Sequence, residues 1–252
     1  MQSLVACIQF RPEHGEAQRN IDHFSPLLRQ AAQREACLVI LPEMCLNGYL
    51  YQSQAEIAPY AEEAQGPSFQ QLSKLCQELG IFLVYGFAQI KDGQLFNSQN
   101  LIDPMGRCLA TYQKRHLFDA DRPWASPGKE PYVSVNTDLG KIGLGICMDL
   151  NFPDLTYFHR SHKTDILCLS MHWLEEGLEV TDYWSDRLAG FEGLTIIANS
   201  FGEESPVHYC GRSSIFVGGR LLDTAEPEGT QTLTFPLPQR PDFPLHQTKE
   251  SV

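Results

Sequence analysis

The sequence predicts an α/β domain. Two observations carry that prediction. Short apolar runs recur along the whole chain, and several are separated by stretches whose apolar residues repeat at helical spacing. In addition, no linker, low-complexity tract or charge block interrupts the chain before about residue 225. With 252 residues, 42% of them hydrophobic and 20% charged, the chain can bury a sizeable core. The expectation is one domain over residues 1–225, followed by a short proline-rich tail over 226–252.

In order, residues 4–10 form the first apolar run. Residues 17–34 read as a helix, with Ile21, Phe24, Leu27 and Leu28 on one face. A second run covers 37–41. Residues 67–79 read as a helix because Pro67 suits its first turn and Gly80 its stop. Strand-like runs follow at 81–88, 109–114, 142–146 and 166–171. Residues 182–194 read as a third helix, with Trp184, Leu188 and Phe191 sharing a face. Runs at 195–199 and 214–217 come next, and Gly218-Gly219 reads as a hairpin turn into 220–222.

The formal net charge of −12 argues against binding to nucleic acid or an anionic membrane surface. No apolar run has the length of a membrane span, and residues 1–10 lack a basic, cleavable leader. A soluble, cytoplasmic protein is expected. The eight cysteines (Cys7, Cys37, Cys45, Cys76, Cys108, Cys147, Cys168 and Cys210) are scattered without a C-x-x-C pair. Neither a zinc site nor a disulfide framework is expected, which suits a reducing compartment.

The informative residues terminate the apolar runs. Residues 37–43 (CLVILPE) end on Glu43, residues 109–116 (LATYQKRH) carry Lys114, and the glycine-broken run 142–146 ends on Cys147. After Cys147 come Asn151, a candidate helix cap, then Pro153 and Asp154, which suit a first helical turn. In open α/β sheets, functional groups gather beyond the carboxyl ends of strands. Taken singly, Glu43 reads as a loop acid, Lys114 as a basic strand end and Cys147 as a small buried hydrophobe. Together they make chemical sense. A thiol becomes nucleophilic as the thiolate, a carboxylate can take its proton and return it to a leaving amine, and an ammonium can stabilise an oxyanion.

The segments LPEMCLNGY, YQKRHLF and GICMDLNFPDL, in that order, resemble the three signature segments of the nitrilase (carbon–nitrogen hydrolase) superfamily. Glu43, Lys114 and Cys147 match its Glu, Lys and Cys, spaced by 71 and then 33 residues. Phe96-Asn97, Ser126-Pro127-Gly128, residues 187–199 and Gly211-Arg212-Ser213-Ser214-Ile215 resemble further family segments. The likeness fades after about residue 225. It implies an α-β-β-α sandwich of two sheets, commonly paired into dimers or larger homo-oligomers, acting on a small-molecule amide or nitrile without a metal or organic cofactor. The implied roles are Cys147 as nucleophile forming a thioester, Glu43 as general base and acid, and Lys114 as oxyanion stabiliser.

Two departures stand out. Many members carry a second Glu six residues before the proline of the Pro-Gly pair, where this chain has Asp121. Its side chain is shorter by one methylene, about 1.5 Å of reach, enough to matter for positioning. Asp121 reads either as a substrate-binding counterpart or as a surface acid. Second, Met148 follows the cysteine. Cys-Met-Asp-Leu-Asn, with Met171-His172-Trp173-Leu174 after the next strand, resembles the branch that deamidates amino-terminal Asn and Gln residues. That favours a carboxamide and makes Met148, His172 and Trp173 candidate pocket residues; Trp173 equally suits core packing. Asp149 reads as a support for the turn. Nitrile hydrolysis, acyl transfer to another acceptor, a cysteine–histidine hydrolase and a non-catalytic binding protein are the competing readings.

Overall fold

β1 (Leu4–Gln9) is buried on both faces. Val5 and Cys7 enter one apolar cluster and Ala6 and Ile8 another, as the two-residue period of a strand requires. In β2 (Ala36–Ile40), Leu38 and Ile40 join the first cluster and Val39 the second. The computed structural model describes residues 3–237. Between these strands runs α1 (Ala17–Gln33), whose Ile21, Phe24 and Leu28 complete the second cluster. A single turn, α2 (Gln54–Ile57), precedes α3 (Pro67–Leu79). The latter opens on Pro67, closes at Gly80 with φ +67°, and buries Phe69, Leu72 and Leu75 in the same cluster as α1. β3 (Phe82–Lys91) lies parallel to β2, and β4 (Gln94–Ile102) and β5 (Cys108–Gln113) follow antiparallel.

The second half begins with β6 (Ser134–Thr137) and β7 (Gly140–Ile146), then α4 (Pro153–Ser161), β8 (Ile166–Met171), α5 (Val180–Arg187) and β9 (Leu194–Asn199). A separate hairpin, β10 (Phe201–Glu204) with β11 (Val207–Cys210), precedes β12 (Ser214–Val217), β13 (Arg220–Thr224) and β14 (Gln231–Pro236). Two six-stranded mixed sheets result, ordered β14-β1-β2-β3-β4-β5 and β13-β12-β9-β8-β7-β6. Each has three parallel strands at its centre, β1-β2-β3 and β7-β8-β9, with antiparallel strands outside. Their inner faces meet in one cluster that joins Val5, Leu38, Ile40 and Val84 to Ile142, Leu144 and Ile166. Helices α1 and α3 cover one outer face; Leu155 of α4 and Trp184 of α5 are buried on the other side. The architecture is the four-layer α-β-β-α sandwich.

The differences from the sequence reading have local causes. The helix expected over 182–194 is α5 alone, Val180–Arg187, because Gly190 turns the chain at φ +81°. Gly218 and Gly219 form the expected hairpin turn, at φ +60° and +75°. Five strands were not expected: β4, β6, β10, β11 and β14. β4 reads as polar, yet Asn97, Ser98, Gln99 and Asn100 are all fully buried there, each hydrogen-bonded inside the molecule. From the segment expected as a tail, Gln231–Pro236 pairs antiparallel with β1 along its whole length. The remainder of that tail, 238–252, lies outside the described residues.

Candidate active site

Glu43 follows β2 in a tight turn where Met44 has φ +48°. The turn lies against β3 at Gly86. A Cβ there would fall 2.4 Å from the Met44 nitrogen and 2.8 Å from the Glu43 Cα, so only glycine permits the approach. The Glu43 carboxylate is fully buried. Its Oε1 accepts from Lys114 Nζ and Asn97 Nδ2, both at 2.7 Å, and its Oε2 from the His172 backbone N–H at 2.9 Å.

Lys114 follows β5 directly. Its N–H donates to the Asn97 carbonyl, and its own carbonyl accepts from Gly128, both at 2.8 Å. The side chain is fully buried, and Nζ donates to Glu43 Oε1 and to Asp121 Oδ2 at 2.6 Å. Tyr49 OH is farther, at 3.4 Å. An ammonium has three donors, so one remains weakly engaged. Burial alone would lower the Lys114 pKa, but Asp121 and then Glu43 reverse this and hold the ammonium firmly protonated.

Asp121 is fully buried, which removes the surface-acid reading. Its Oδ2 accepts from Lys114 Nζ and from the Phe118 N–H at 2.9 Å, and its Oδ1 from Asn97 Nδ2 at 3.0 Å. The backbone turn through residues 118–125, closed by Asp121 N–H to Phe118 O at 3.0 Å, brings this short side chain to Lys114. Asp121 therefore braces Lys114 and does not line the cavity described below, where the sequence reading had placed it among substrate-binding residues.

Cys147 ends β7 and opens a 3-10 turn, Cys147–Asn151, at φ +40°. A non-glycine residue in that region is strained and needs support. Asp149 provides it: Oδ2 accepts from the Ile146 N–H at 3.0 Å and the Tyr112 hydroxyl at 2.7 Å, and Oδ1 from the His116 N–H at 3.0 Å. One carboxylate thus ties the cysteine turn to the segment carrying Lys114. Asn151 does not cap α4; it bonds Met148 Sδ and Tyr183 OH, and Pro153 opens the helix instead. Burial pushes the Cys147 thiol well above its ordinary range. Glu43 adds to the push, while Lys114 and the His172 backbone oppose it. Burial also raises Glu43, against the pull of Lys114. The resting arrangement is a neutral thiol beside a carboxylate–ammonium–carboxylate cluster. Moving the thiol proton to Glu43 generates a thiolate without changing the net charge of thiol and cluster together.

Cys147 lies on a cavity of about 180 Å³ with Phe118, Met148, Asn151, His172 and Trp173. Met148, His172 and Trp173 thus line the same cavity as Cys147. A smaller hollow of about 120 Å³ adjoins it, sharing Asn151, Trp173, Leu174 and Glu176 and adding Glu175. Neither is lined by a Lys or Arg among the described residues. His172 stacks on Tyr49 at 5.1 Å and meets the edge of Tyr209 at 4.6 Å. Tyr49, Phe118, Asn151, Glu176 and Tyr209 escaped the sequence reading. Tyr49, Phe118 and Asn151 left a signal, lying in the segments LPEMCLNGY, YQKRHLF and GICMDLNFPDL; Glu176 and Tyr209 left none.

The carbon-nitrogen hydrolase family model matches residues 4–237. The chain belongs to the carbon-nitrogen hydrolase family. Among relatives of this carbon-nitrogen hydrolase, a protein N-terminal amidase of Schizosaccharomyces pombe is 29% identical over 83% of this chain and 89% of its own. A hydrolase of Pseudomonas protegens is 31% identical over 84% and 74%. An amidase from Nesterenkonia sp. AN1, in a structure whose active-site cysteine carries acrylamide by Michael addition, superposes with a TM-score of 0.82. That superposition covers 94% of this chain and 93% of the other at 20% identity, a likeness of fold. Among the described residues, no helix is long and apolar enough to cross a membrane.

Proposed function

We propose that this carbon-nitrogen hydrolase cleaves a carboxamide through a thioester on Cys147, releasing ammonia and a carboxylic acid. The observation that carries the reading is the fully buried Lys114, held between Glu43 and Asp121 at the edge of the Cys147 turn. Glu43 takes the thiol proton as sulfur attacks the amide carbon. The Lys114 donor that is only weakly engaged at rest, with the N–H following Cys147, receives the oxyanion. The tetrahedral adduct collapses, the carbon–nitrogen bond breaks, and Glu43 returns the proton to the leaving ammonia. Water then attacks the thioester and gives Glu43 its proton. That proton returns to the Cys147 sulfur as the acid departs.

The cleft favours one substrate class. Its walls combine Phe118, Met148, Trp173 and Leu174 with Glu176 and no cationic side chain among the described residues. A neutral or amine-bearing amide fits this lining better than an anionic one. Peptides with amino-terminal Asn or Gln are amides of that kind, and the N-terminal amidase among the relatives points the same way. Pairing into a homodimer is part of the proposal, to be checked by solution mass.

The test is ammonia release from a panel of carboxamides, nitriles and peptides with amino-terminal Asn or Gln, with Cys147→Ala run in parallel. Release that vanishes in the folded variant is expected, with neutral and amine-bearing amides ranked first. Turnover surviving in Cys147→Ala would overturn the assignment.

A further inference from the structure

Behind the Cys147 cavity lies a second one of about 340 Å³, between the β1–α1 loop and the β10–β11 hairpin. It brings four carboxylates, from Glu13, Glu16, Glu203 and Glu204, against Arg11 and His14; Arg19 pairs with Glu13 and Glu16 from outside the lining, and His14 Nδ1 meets Glu204 Oε1 at 3.1 Å. Such an excess attracts cations but does not by itself make a site.

Two buried side chains on its wall supply what is missing. His172 is 3% exposed, and neither ring nitrogen has a hydrogen-bond partner. Ser200 is fully buried, and its Oγ is likewise unpartnered. Burying a polar group unpaired costs about 1–3 kcal/mol. The His172 ring is clamped between Tyr49 and Tyr209 and does not turn freely toward a partner. Burial lowers its pKa to about 4, so near neutral pH the ring carries no charge and offers one lone pair and one N–H. Glu204 is anchored beside them by the Tyr49 and Leu50 N–H groups at 3.2 and 3.0 Å and the Tyr209 hydroxyl at 2.9 Å. An ammonium group suits such a lining: its several donors reach the accepting imidazole nitrogen, the hydroxyl oxygen and the carboxylates together, and its charge meets theirs.

We propose that this second cavity binds an ammonium group, held by the His172 ring and Ser200 Oγ and neutralised by Glu203 and Glu204. His172 also lines the Cys147 cavity, so it is the wall shared by the two chambers. The ammonium group has two sources: the ion released in turnover, or an amine carried by the substrate. Binding itself does not depend on the amide-hydrolysis reading; only the choice between sources rests on it.

The test uses the Cys147→Ala protein, labelled with ¹⁵N in its histidine rings and titrated with methylammonium chloride at fixed ionic strength. The His172 signal is assigned by its loss in His172→Gln. It should shift saturably with methylammonium and not with sodium. Ser200→Ala and the surface variant Glu203→Gln should each weaken saturation about two- to tenfold, the size of one net hydrogen bond. A non-saturating shift, an equal response to sodium, or unchanged binding in both variants would overturn the site. In wild-type turnover, methylammonium competing only with amine-bearing amides marks the substrate's amine as occupant. Non-competitive inhibition against every amide marks the released ion.

Discussion

Asp121→Asn is the most informative single change at this site. All three partners of the Asp121 carboxylate are donors: Lys114 Nζ at 2.6 Å, the Phe118 N–H at 2.9 Å and Asn97 Nδ2 at 3.0 Å. An asparagine must point its own NH₂ at one of them. The least costly orientation keeps its oxygen toward Lys114 and Phe118 and sets NH₂ against Asn97. Asn97 can accept that donor only by flipping its unpartnered Oδ1 inward, which forfeits its 2.7 Å bond to Glu43. One charge-assisted hydrogen bond is lost, at about 1.5–3 kcal/mol, and a buried ammonium loses half its countercharge. Breaking a buried pair outright costs about 3–5 kcal/mol, so the expected destabilisation is about 3 kcal/mol. Urea unfolding should show it as a lower midpoint at unchanged slope. The same disturbance displaces Lys114 and Glu43, and kcat should fall at least about tenfold. An Asp121→Asn protein as stable and as active as wild type would refute the bracing role.

Three further outcomes are expected. Lys114→Ala should lower kcat/KM by at least about a hundredfold, the scale of a lost oxyanion donor; a loss below about tenfold would demote it. The pH profile of kcat/KM should rise above the ordinary carboxylate range as Glu43 ionises, because burial raises that group. It should fall only above the ordinary thiol range, because Cys147 is raised as well; an acid limb below pH 4 would exclude Glu43 as the base. Burial lowers the His159 pKa to about 4 from 6.5, so His159 stays neutral when folded while the unfolded chain gains a proton. Its contribution is intact above about pH 6.5 and is lost toward pH 4 at about 1.4 kcal/mol per unit. His159→Gln should flatten the pH dependence of unfolding by that one proton, measured from urea midpoints between pH 7 and 4.

The parts legible in the sequence were those governed by local pattern. The parallel core strands announced themselves as apolar runs because helices and the facing sheet bury both their faces. The same runs pointed to Glu43, Lys114 and Cys147, each set just beyond a strand end. β4 stayed hidden because its polar residues are spent inside the molecule, Asn97 on Glu43 and Asp121, Gln99 on Ser170. Only the partners reveal why a polar string is interior. Asp121 was found by its place before Pro127, but its role depends on a turn that brings it to Lys114. Glu204, Ser200 and Tyr209 come from the β9–β11 region, and nothing local marks their approach to His172. β14 was obscured by the prolines around it, since its pairing with β1 joins the two ends of the described chain.

The neutral resting thiol bears on how long the molecule lasts. Peroxides oxidise thiolates far faster than thiols. Burial likewise pushes the other interior cysteines upward: Cys7, Cys45, Cys76 and Cys210 to about 12, and Cys168 higher still. A protein with eight free cysteines therefore presents little reactive sulfur to an oxidant. On the proposed mechanism the Cys147 proton leaves only as the sulfur bonds to the substrate carbon, so turnover exposes no free thiolate either. A bound amide should accordingly shield Cys147 from peroxide rather than expose it.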